Sequence, residues 1–360
     1  MDRRTPFYFF HQSLNAKIVS FAGFLMPMHY QGVNFEHNHV RNNVGVFDVS
    51  HMAQIMITGS KAFDLVQYVT TNDVSKLING KVQYSCILNK EGGVIDDLLV
   101  YRIHAESYML VVNASNAQKD FDWICMNNQV GAHVENITSS RGLLAIQGPL
   151  SLKVLQPFTD INLNNIPYYS FKMGSFASCS DVIISNTGYT GSGGFELYMD
   201  KKHAEHIWKK LFTNNDELQP IGLAARDTLR LEMGYCLYGN DLQEDINPIE
   251  AKLSWIVHME KDFIGKKALL AYVSDNSSKC LVGFVLEDRG IPRKNYEIFN
   301  KNSNKIGYVT SGTMSPSLKL GLGMGYVLKK DASIGNQIFI CVRGKHLKAK
   351  IVKMPFYDKK

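Results

Sequence analysis

The sequence predicts an α+β protein of two or three domains that ends in a small all-β barrel, and three observations carry that expectation. The chain has 360 residues, more than a single hydrophobic core normally serves. Apolar, β-branched runs separated by short turns crowd residues 82–112, the pattern of antiparallel hairpins. From Cys280 onward short strand-like runs alternate with turns and helical periodicity disappears, as in a barrel.

Taken in order, residues 36–45 read as a short helix ending near Gly45, and Ala53–Thr58 as a strand. Residues 61–69 have an amphipathic helical pattern. A meander follows, with strands at Val82–Leu88, 94–103 and 108–112 and a glycine turn at 89–93. Residues 117–125 place Phe121, Ile124 and Cys125 on one helical side. Residues 142–147 form a short strand, after which Gly148-Pro149 opens a helix through Leu155. Residues 175–185 and 195–199 are expected as strands around a glycine-rich loop. Residues 202–212 are amphipathic and helical, and Pro220 is expected to start a helix through Met233. No repeat with a period of about 20 to 50 residues argues for a solenoid.

Composition excludes several classes. Hydrophobic residues make up 45% and charged residues 20%, which is globular rather than disordered. The 39 Lys and Arg against 33 Asp and Glu leave +6, spread along the chain. The densest basic stretch, from Arg343 to Lys360, lacks the unbroken run of a nucleic-acid arm. The mild excess suits an acidic partner protein or a polyanionic small molecule. None of the six cysteines is arranged as Cys-x-x-Cys, and His11-Gln12 interrupts the first apolar run too early for a secretory leader. Reduced thiols and a cytoplasmic setting are therefore expected. No apolar run reaches the length of about 18 residues that a membrane helix needs.

Four constellations are candidates for chemistry. Asp96-Asp97 interrupts the apolar run that follows Gly92-Gly93. A strand sends neighbouring side chains to opposite faces, so one aspartate is expected to be structural and the other to face a cavity. The loop from Thr187 to Leu197 carries Gly188, Gly191, Gly193 and Gly194 with Tyr189 and Glu196. It is neither a Walker loop nor a dinucleotide fingerprint, because no Gly-Lys-Ser/Thr follows and a strand stands where a helix is needed. It reads either as a flexible hairpin or as a close approach to a flat ligand, with Tyr189 stacking and Glu196 accepting paired N–H donors. Arg226 and Arg230 share a helical face and read either as surface ion-pair partners, with Glu232 nearby, or as anion ligands. Glu36, His37 and His39 have poor spacing for a metal, and Asp48, Ser50 and His51 lack a nucleophile elbow.

Eight collinear motifs between about residues 5 and 357 resemble one family. They are Phe21-Ala22-Gly23-Phe24-Leu25-Met26-Pro27, Val46-Phe47-Asp48-Val49-Ser50-His51-Met52, Gly92-Gly93-Val94-Ile95-Asp96-Asp97-Leu98 and Thr187-Gly188-Tyr189-Thr190-Gly191. The others are Ala225-Arg226-Asp227-Thr228-Leu229-Arg230-Leu231-Glu232, Leu237-Tyr238-Gly239-Asn240-Asp241-Leu242, Thr310-Ser311-Gly312 and Lys353-Met354-Pro355-Phe356. Together they look like the aminomethyltransferase, or T-protein, of the glycine cleavage system. That resemblance implies three domains around a central funnel for tetrahydrofolate: residues 1–140 and 141–275, mixed α+β and partly interleaved, and a β-barrel at 276–360. It implies tetrahydrofolate as co-substrate, no metal, and the lipoylated H-protein as carrier, with no nucleic-acid or membrane partner. Residue by residue, it makes Asp97 the catalytic carboxylate and Glu196 and Arg226 the substrate-binding pair. Met52, Tyr84, Asn113, Tyr189 and Trp255 then line the folate pocket, with Tyr357 a weaker match.

The chain departs from the family in two places. Many members have Trp where Phe24 stands, and Glu-Asp where Ser192-Gly193 stands, which removes two charges from the folate-side loop. The nearest alternatives are a folate-dependent demethylase on the same scaffold, and a non-catalytic folate module of the iron–sulfur assembly type. The latter carries a Lys-Gly-Cys-Tyr-x-Gly-Gln motif that is absent here.

Overall fold

The computed structural model describes residues 2–213, 215–273 and 279–358. Two compact units emerge, one made of Met1–Ser85 with Leu98–Arg226, the other of Cys86–Asp97 with Asp227–Lys360. Mixed sheets with flanking helices and a closed barrel establish the α+β class.

The first unit is centred on a six-stranded sheet, ordered Phe171–Phe176, Cys179–Ser185, Gly194–Asp200, Arg141–Gln147, Val44–Asp48 and Leu218–Pro220. All pairs are antiparallel except the last, where Gln219 pairs in parallel with Gly45. Every residue of Val44–Asp48 is buried, as expected of a strand covered on both faces. One face packs Val46, Leu144, Ile146, Leu197 and Met199 against Ile207, Trp208 and Leu211 of the helix Ala204–Phe212. Those three share a helical stripe, and burying each contributes about 1.5–3 kcal/mol. A second antiparallel set runs from Val94–His104 to Ser107–Val112, Ala53–Thr58 and His133–Asn136, with Leu99 opposite Val111 and Ile55 opposite Leu110.

In the second unit the barrel closes in the order Lys279–Leu286, Gly321–Leu328, Lys305–Met314, Glu297–Phe299, Gln337–Val342 and Lys345–Val352. Phe284 pairs with Gly323 on one side and Ile351 on the other, which closes the ring. Register shifts at Ile298/Phe299 and Val309/Ser311 supply the bends a small barrel needs. Val282, Phe284, Ile298, Val309, Ile340 and Ile351 fill its interior. Outside that core lies a buried ion pair. Arg230 donates to Asp241 (2.8 Å), the Tyr235 carbonyl (2.9 Å), Ser311 Oγ (2.8 Å) and Asp227 (2.8 Å). Asp241 also accepts from Thr310 and Ser311, and its carbonyl from the Tyr326 hydroxyl.

Several elements differ from the sequence reading. The helix expected at 36–45 is Val33–Asn42, and Gly45 lies inside a strand with partners on both sides. Residues 175–185 are not one strand. Phe171–Phe176 and Cys179–Ser185 form a hairpin whose turn residues, Ala177 (φ 50°) and Ser178 (φ 63°), make a mirror-image turn without its usual Asn-Gly. Pro220 ends a strand, and the helix begins at Leu223, because the Ile221 N–H bonds Val46 and the Gly222 N–H bonds the Glu36 carboxylate. The hairpin Lys17–Phe21/Phe24–His29 was not anticipated.

Candidate active site

The glycine-rich loop is fastened rather than loose. Gln147 donates from Nε2 to the Thr187 carbonyl (3.1 Å) and accepts from Thr190 Oγ1 (3.0 Å). Gly188 follows from this, since a Cβ there would lie 2.0 Å from Gln147 Oε1. From the other side Arg41 donates to the Thr190 carbonyl and to Ser192 Oγ (2.8 Å). Ser192 thus holds the loop through a neutral group where a charged one was noted as missing.

Within the first unit three of the expected site residues converge. The Arg226 guanidinium carbon stands 4.7 Å from the centroid of the Tyr189 ring, a cation–π arrangement. Its Nη1 is buried and has no hydrogen-bond partner among the described residues. Glu196 is buried at 7% exposure. Its Oε2 accepts from Thr187 Oγ1 and the Tyr198 hydroxyl (3.4 Å), while its Oε1 receives no hydrogen bond from the described residues. Burial raises the Glu196 pKa, and the Thr187 bond and the Arg226 charge oppose that shift. Burial likewise lowers that of Arg226, against the pull of Glu196. The result is a half-satisfied carboxylate and a guanidinium with a buried, unpartnered nitrogen beside an aromatic face, a set able to recognise a planar ligand with N–H donors.

The helix Leu223–Glu232 that carries Arg226 is anchored at its start. Glu36 Oε2 accepts from the Gly222 N–H (2.7 Å), and Oε1 accepts from the N–H groups of Tyr30, Gln31 and Gly32 (2.7, 2.9 and 3.0 Å). Glu36 is therefore a backbone clamp, and its neighbour His39 bonds the Glu217 carbonyl (2.9 Å). Among the described residues no group of three or more His, Cys, Asp and Glu could hold a metal ion. Nor is any of their helices long and apolar enough to cross a membrane.

Asp48, Ser50 and His51 do not form a nucleophilic set. The carboxylate of Asp48 takes its imidazole from His11 (Nε2 at 2.9 Å), with Thr5 Oγ1 and the Ser50 N–H as further donors. Burial alone would raise the Asp48 pKa, but these bonds and the His11 charge bring it below the ordinary value. The Ser50 hydroxyl is engaged with the Leu143 backbone. His51 is buried with Nδ1 unpartnered among the described residues, and burial holds its pKa down to about 4. Met52 follows it, half-buried, as are Tyr84 and Asn113. The Tyr84 carbonyl is fixed by Asn72 (2.7 Å), and that of Asn113 by the Asn116 N–H (2.9 Å).

Asp97, Trp255 and Tyr357 belong to the second unit. Asp96 is fully buried and Asp97 half-buried, the alternation expected of a strand. The start of that strand is pinned by Val94 N–H to the Ile246 carbonyl (2.9 Å) and by Asn89 to the Glu244 carbonyl (3.0 Å). Gly93 permits this approach, since a Cβ there would meet the Glu244 oxygen at 1.7 Å. Burial, and then the Asp97 charge, pushes the Cys86 thiol well up; burial does the same for Cys236, with Asp241 and then Asp97 adding to it. None of the six cysteines forms a disulfide. Trp255 is 64% exposed in the turn Ser254–Ile256. Tyr357 is held by its N–H on the Glu232 carbonyl (3.1 Å), and the buried Glu232 side chain accepts from Ser315 and Ser317. Glu232 is thus no surface ion-pair partner.

Tyr101, Ser185 and Tyr198, which stand behind Glu196, escaped the sequence reading. So did Thr5, His11 and Tyr30 around Asp48. Thr187 lay in a motif that was singled out, and Tyr101 ended the run that carries Asp96 and Asp97, without a role assigned to it.

Comparison with known proteins agrees along the whole chain. The family model described as the GCVT N-terminal domain matches residues 7–261. The one described as the glycine cleavage T-protein C-terminal barrel domain matches residues 279–358. An aminomethyltransferase of Flavobacterium psychrophilum is 51% identical over 351 residues, covering 97% of this chain and 98% of that protein. One from Bacteroides thetaiotaomicron is 51% identical over 358 residues, covering 98% and 99%. A crystal structure of the glycine cleavage system aminomethyltransferase T from Bartonella henselae superimposes with a TM-score of 0.93 at 36% identity, covering 99% of this chain and 98% of that one. The chain therefore belongs to the glycine cleavage T-protein family of aminomethyltransferases, enzymes that transfer a one-carbon group.

Proposed function

We propose that this aminomethyltransferase of glycine cleavage takes its one-carbon unit from the aminomethyl-lipoyl arm of the H-protein and gives it to tetrahydrofolate. The products are 5,10-methylenetetrahydrofolate, ammonia and dihydrolipoyl H-protein. The observation that carries the reading is the free Oε1 of Glu196 beside the Arg226–Tyr189 stack. A carboxylate oxygen that receives no donor from the described residues is open to one from a ligand, and the edge of a reduced pterin offers adjacent N–H groups.

In the reaction two bonds to the carbon break, to the amine and to sulfur, and two form, to the two folate nitrogens. The two protons released by those nitrogens end on ammonia and on the lipoyl thiol. Asp97 is assigned the charge and proton work, steadying the cationic carbon and moving a proton between nitrogens. Met52, Tyr84, Asn113, Trp255 and Tyr357 are assigned to the pocket wall. No enzyme-bound intermediate is required, and Ser50, engaged with backbone, is not set up as a nucleophile. The setting is cytoplasmic in this reading.

Ammonia release from aminomethylated H-protein, with and without tetrahydrofolate, tests the proposal. Release that needs both the carrier and folate supports it. Turnover of a small methylated sulfur compound without the carrier would replace it with the demethylase reading.

A further inference from the structure

Two chains of buried hydroxyls end on the same oxygen of Glu196. In one, the Tyr101 hydroxyl lies 2.8 Å from that of Tyr198, which lies 3.4 Å from Glu196 Oε2. In the other, Ser185 Oγ lies 2.9 Å from Thr187 Oγ1, which donates to the same Oε2. Tyr101 also touches both Ser185 Oγ (3.1 Å) and Thr187 Oγ1 (3.3 Å). Tyr101, Ser185 and Tyr198 are fully buried.

Proton counting gives the first of these chains a direction. An ionised carboxylate only accepts, and each hydroxyl has a single hydrogen. Tyr198 spends its hydrogen on Oε2, so its oxygen accepts from behind, and Tyr101 is the hydroxyl placed to donate to it. Thr187 Oγ1 is the donor in both of its contacts, to Oε2 and to Ser185 Oγ, so its single hydrogen is shared between them. The Tyr101–Tyr198 chain therefore points toward Oε2, and polarisation along it strengthens its last bond. Oε2 is saturated from the protein side while Oε1 is left to the ligand side.

We propose that Tyr101 is a positioning residue for folate affinity: acting through Tyr198, it fixes the Glu196 carboxylate so that Oε1 alone meets the ligand. The inference rests on the reading that Glu196 binds the folate ring. Tyr101 itself is reached by no ligand in this account. Its ring also packs 5.3 Å from Phe171, a contact that Tyr101→Phe preserves.

Titration calorimetry of the full chain with tetrahydrofolate tests this. Tyr101→Phe should raise Kd about three- to tenfold, the effect of one net hydrogen bond. In steady state its folate KM should rise by more than kcat falls. Tyr198→Phe cuts the same chain one link nearer the carboxylate, so adding Tyr101→Phe to it should change Kd by less than about twofold, the mark of residues acting as one unit. An undiminished Tyr101→Phe effect in the Tyr198→Phe background overturns the inference, because it reports a general disturbance. Wild-type Kd in Tyr101→Phe beside a weakened Glu196→Ala also overturns it, while leaving the folate reading intact. Wild-type Kd in Glu196→Ala overturns the folate role of Glu196 itself.

Discussion

Replacing Glu36 should uncouple the arginine helix from the rest of its unit. Its carboxylate gathers four backbone N–H groups, from Tyr30, Gln31, Gly32 and Gly222. In Glu36→Ala all four lose their acceptor. Gln31 is exposed and Tyr30 and Gly32 are half-buried, so water replaces much of what those three lose. Gly222 is buried, and its N–H bears the full cost of about 1–3 kcal/mol for an unsatisfied donor. With a few tenths to one from each of the others, the total comes to about 3 kcal/mol. In a unit of this size that lowers Tm by about 6–12 °C. Glu36→Gln discriminates the cause, because one amide oxygen serves either the loop donors or Gly222, and the NH₂ group opposes the remainder. It should recover less than about half of the loss. Thermal unfolding and urea titration of the three proteins measure this. A Glu36→Gln protein as stable as the parent would refute the clamp.

Further outcomes follow from the other groups. Asp97→Asn keeps the shape and removes the charge, so turnover in the ammonia-release assay should fall by about tenfold to a hundredfold while folate titration changes less; wild-type turnover would remove Asp97 from the chemistry. His51 has its pKa held at about 4 against an ordinary 6.5 by burial, with Asp48 opposing and the Arg226 charge assisting. The unfolded chain therefore takes up a proton that the folded chain refuses, so the His51 contribution is full above about pH 6.5 and is lost as pH falls toward 4, by at most about 3 kcal/mol. His51→Gln should flatten the fall in urea midpoint between those pH values, and an unchanged slope would contradict the assignment. With a net charge of +6 and the acidic carrier that the family resemblance implies, raising ionic strength should slow association in stopped-flow mixing. Free aminomethyl-dihydrolipoamide should be a poor substitute, since the tether supplies effective concentration; equal turnover of the free compound would argue against the carrier.

Local patterns were legible in the chain wherever one signal decided the backbone. Ala53–Thr58 and Val82–Leu88 fall where apolar runs placed them, and the change of pattern at Cys280 marks the barrel. The Ala177-Ser178 turn was hidden because neither residue advertises a positive φ. Pro220 misled because a proline before an apolar run is also compatible with the last residue of a strand. The clamp role of Glu36 was hidden because its partners are backbone N–H groups, which have no sequence signature. For the candidate site, Tyr189, Glu196 and Arg226 could be named from motifs, and they converge. Tyr101 could not, because its partner Tyr198 is 97 residues away and no periodicity links them.

The buried pair of Arg230 and Asp241 bears on how such a chain can be recombined. One family segment ends at residue 261 and the next begins at residue 279, and a gene joined between them would look modular. Yet Arg230 and Asp241 stand on one side of that seam, while Thr310, Ser311 and Tyr326, which complete their hydrogen bonds, stand on the other. Separating them strips a buried charge pair of its neutral partners, and each lost hydrogen bond to a charged group costs about 1.5–3 kcal/mol. A barrel that differs at Thr310, Ser311 or Tyr326 would leave the pair without its neutral partners unless its own arginine helix came with it. The heritable block is therefore larger than the barrel, and shuffling at this seam should yield insoluble chimeras unless residues 227–242 travel with it.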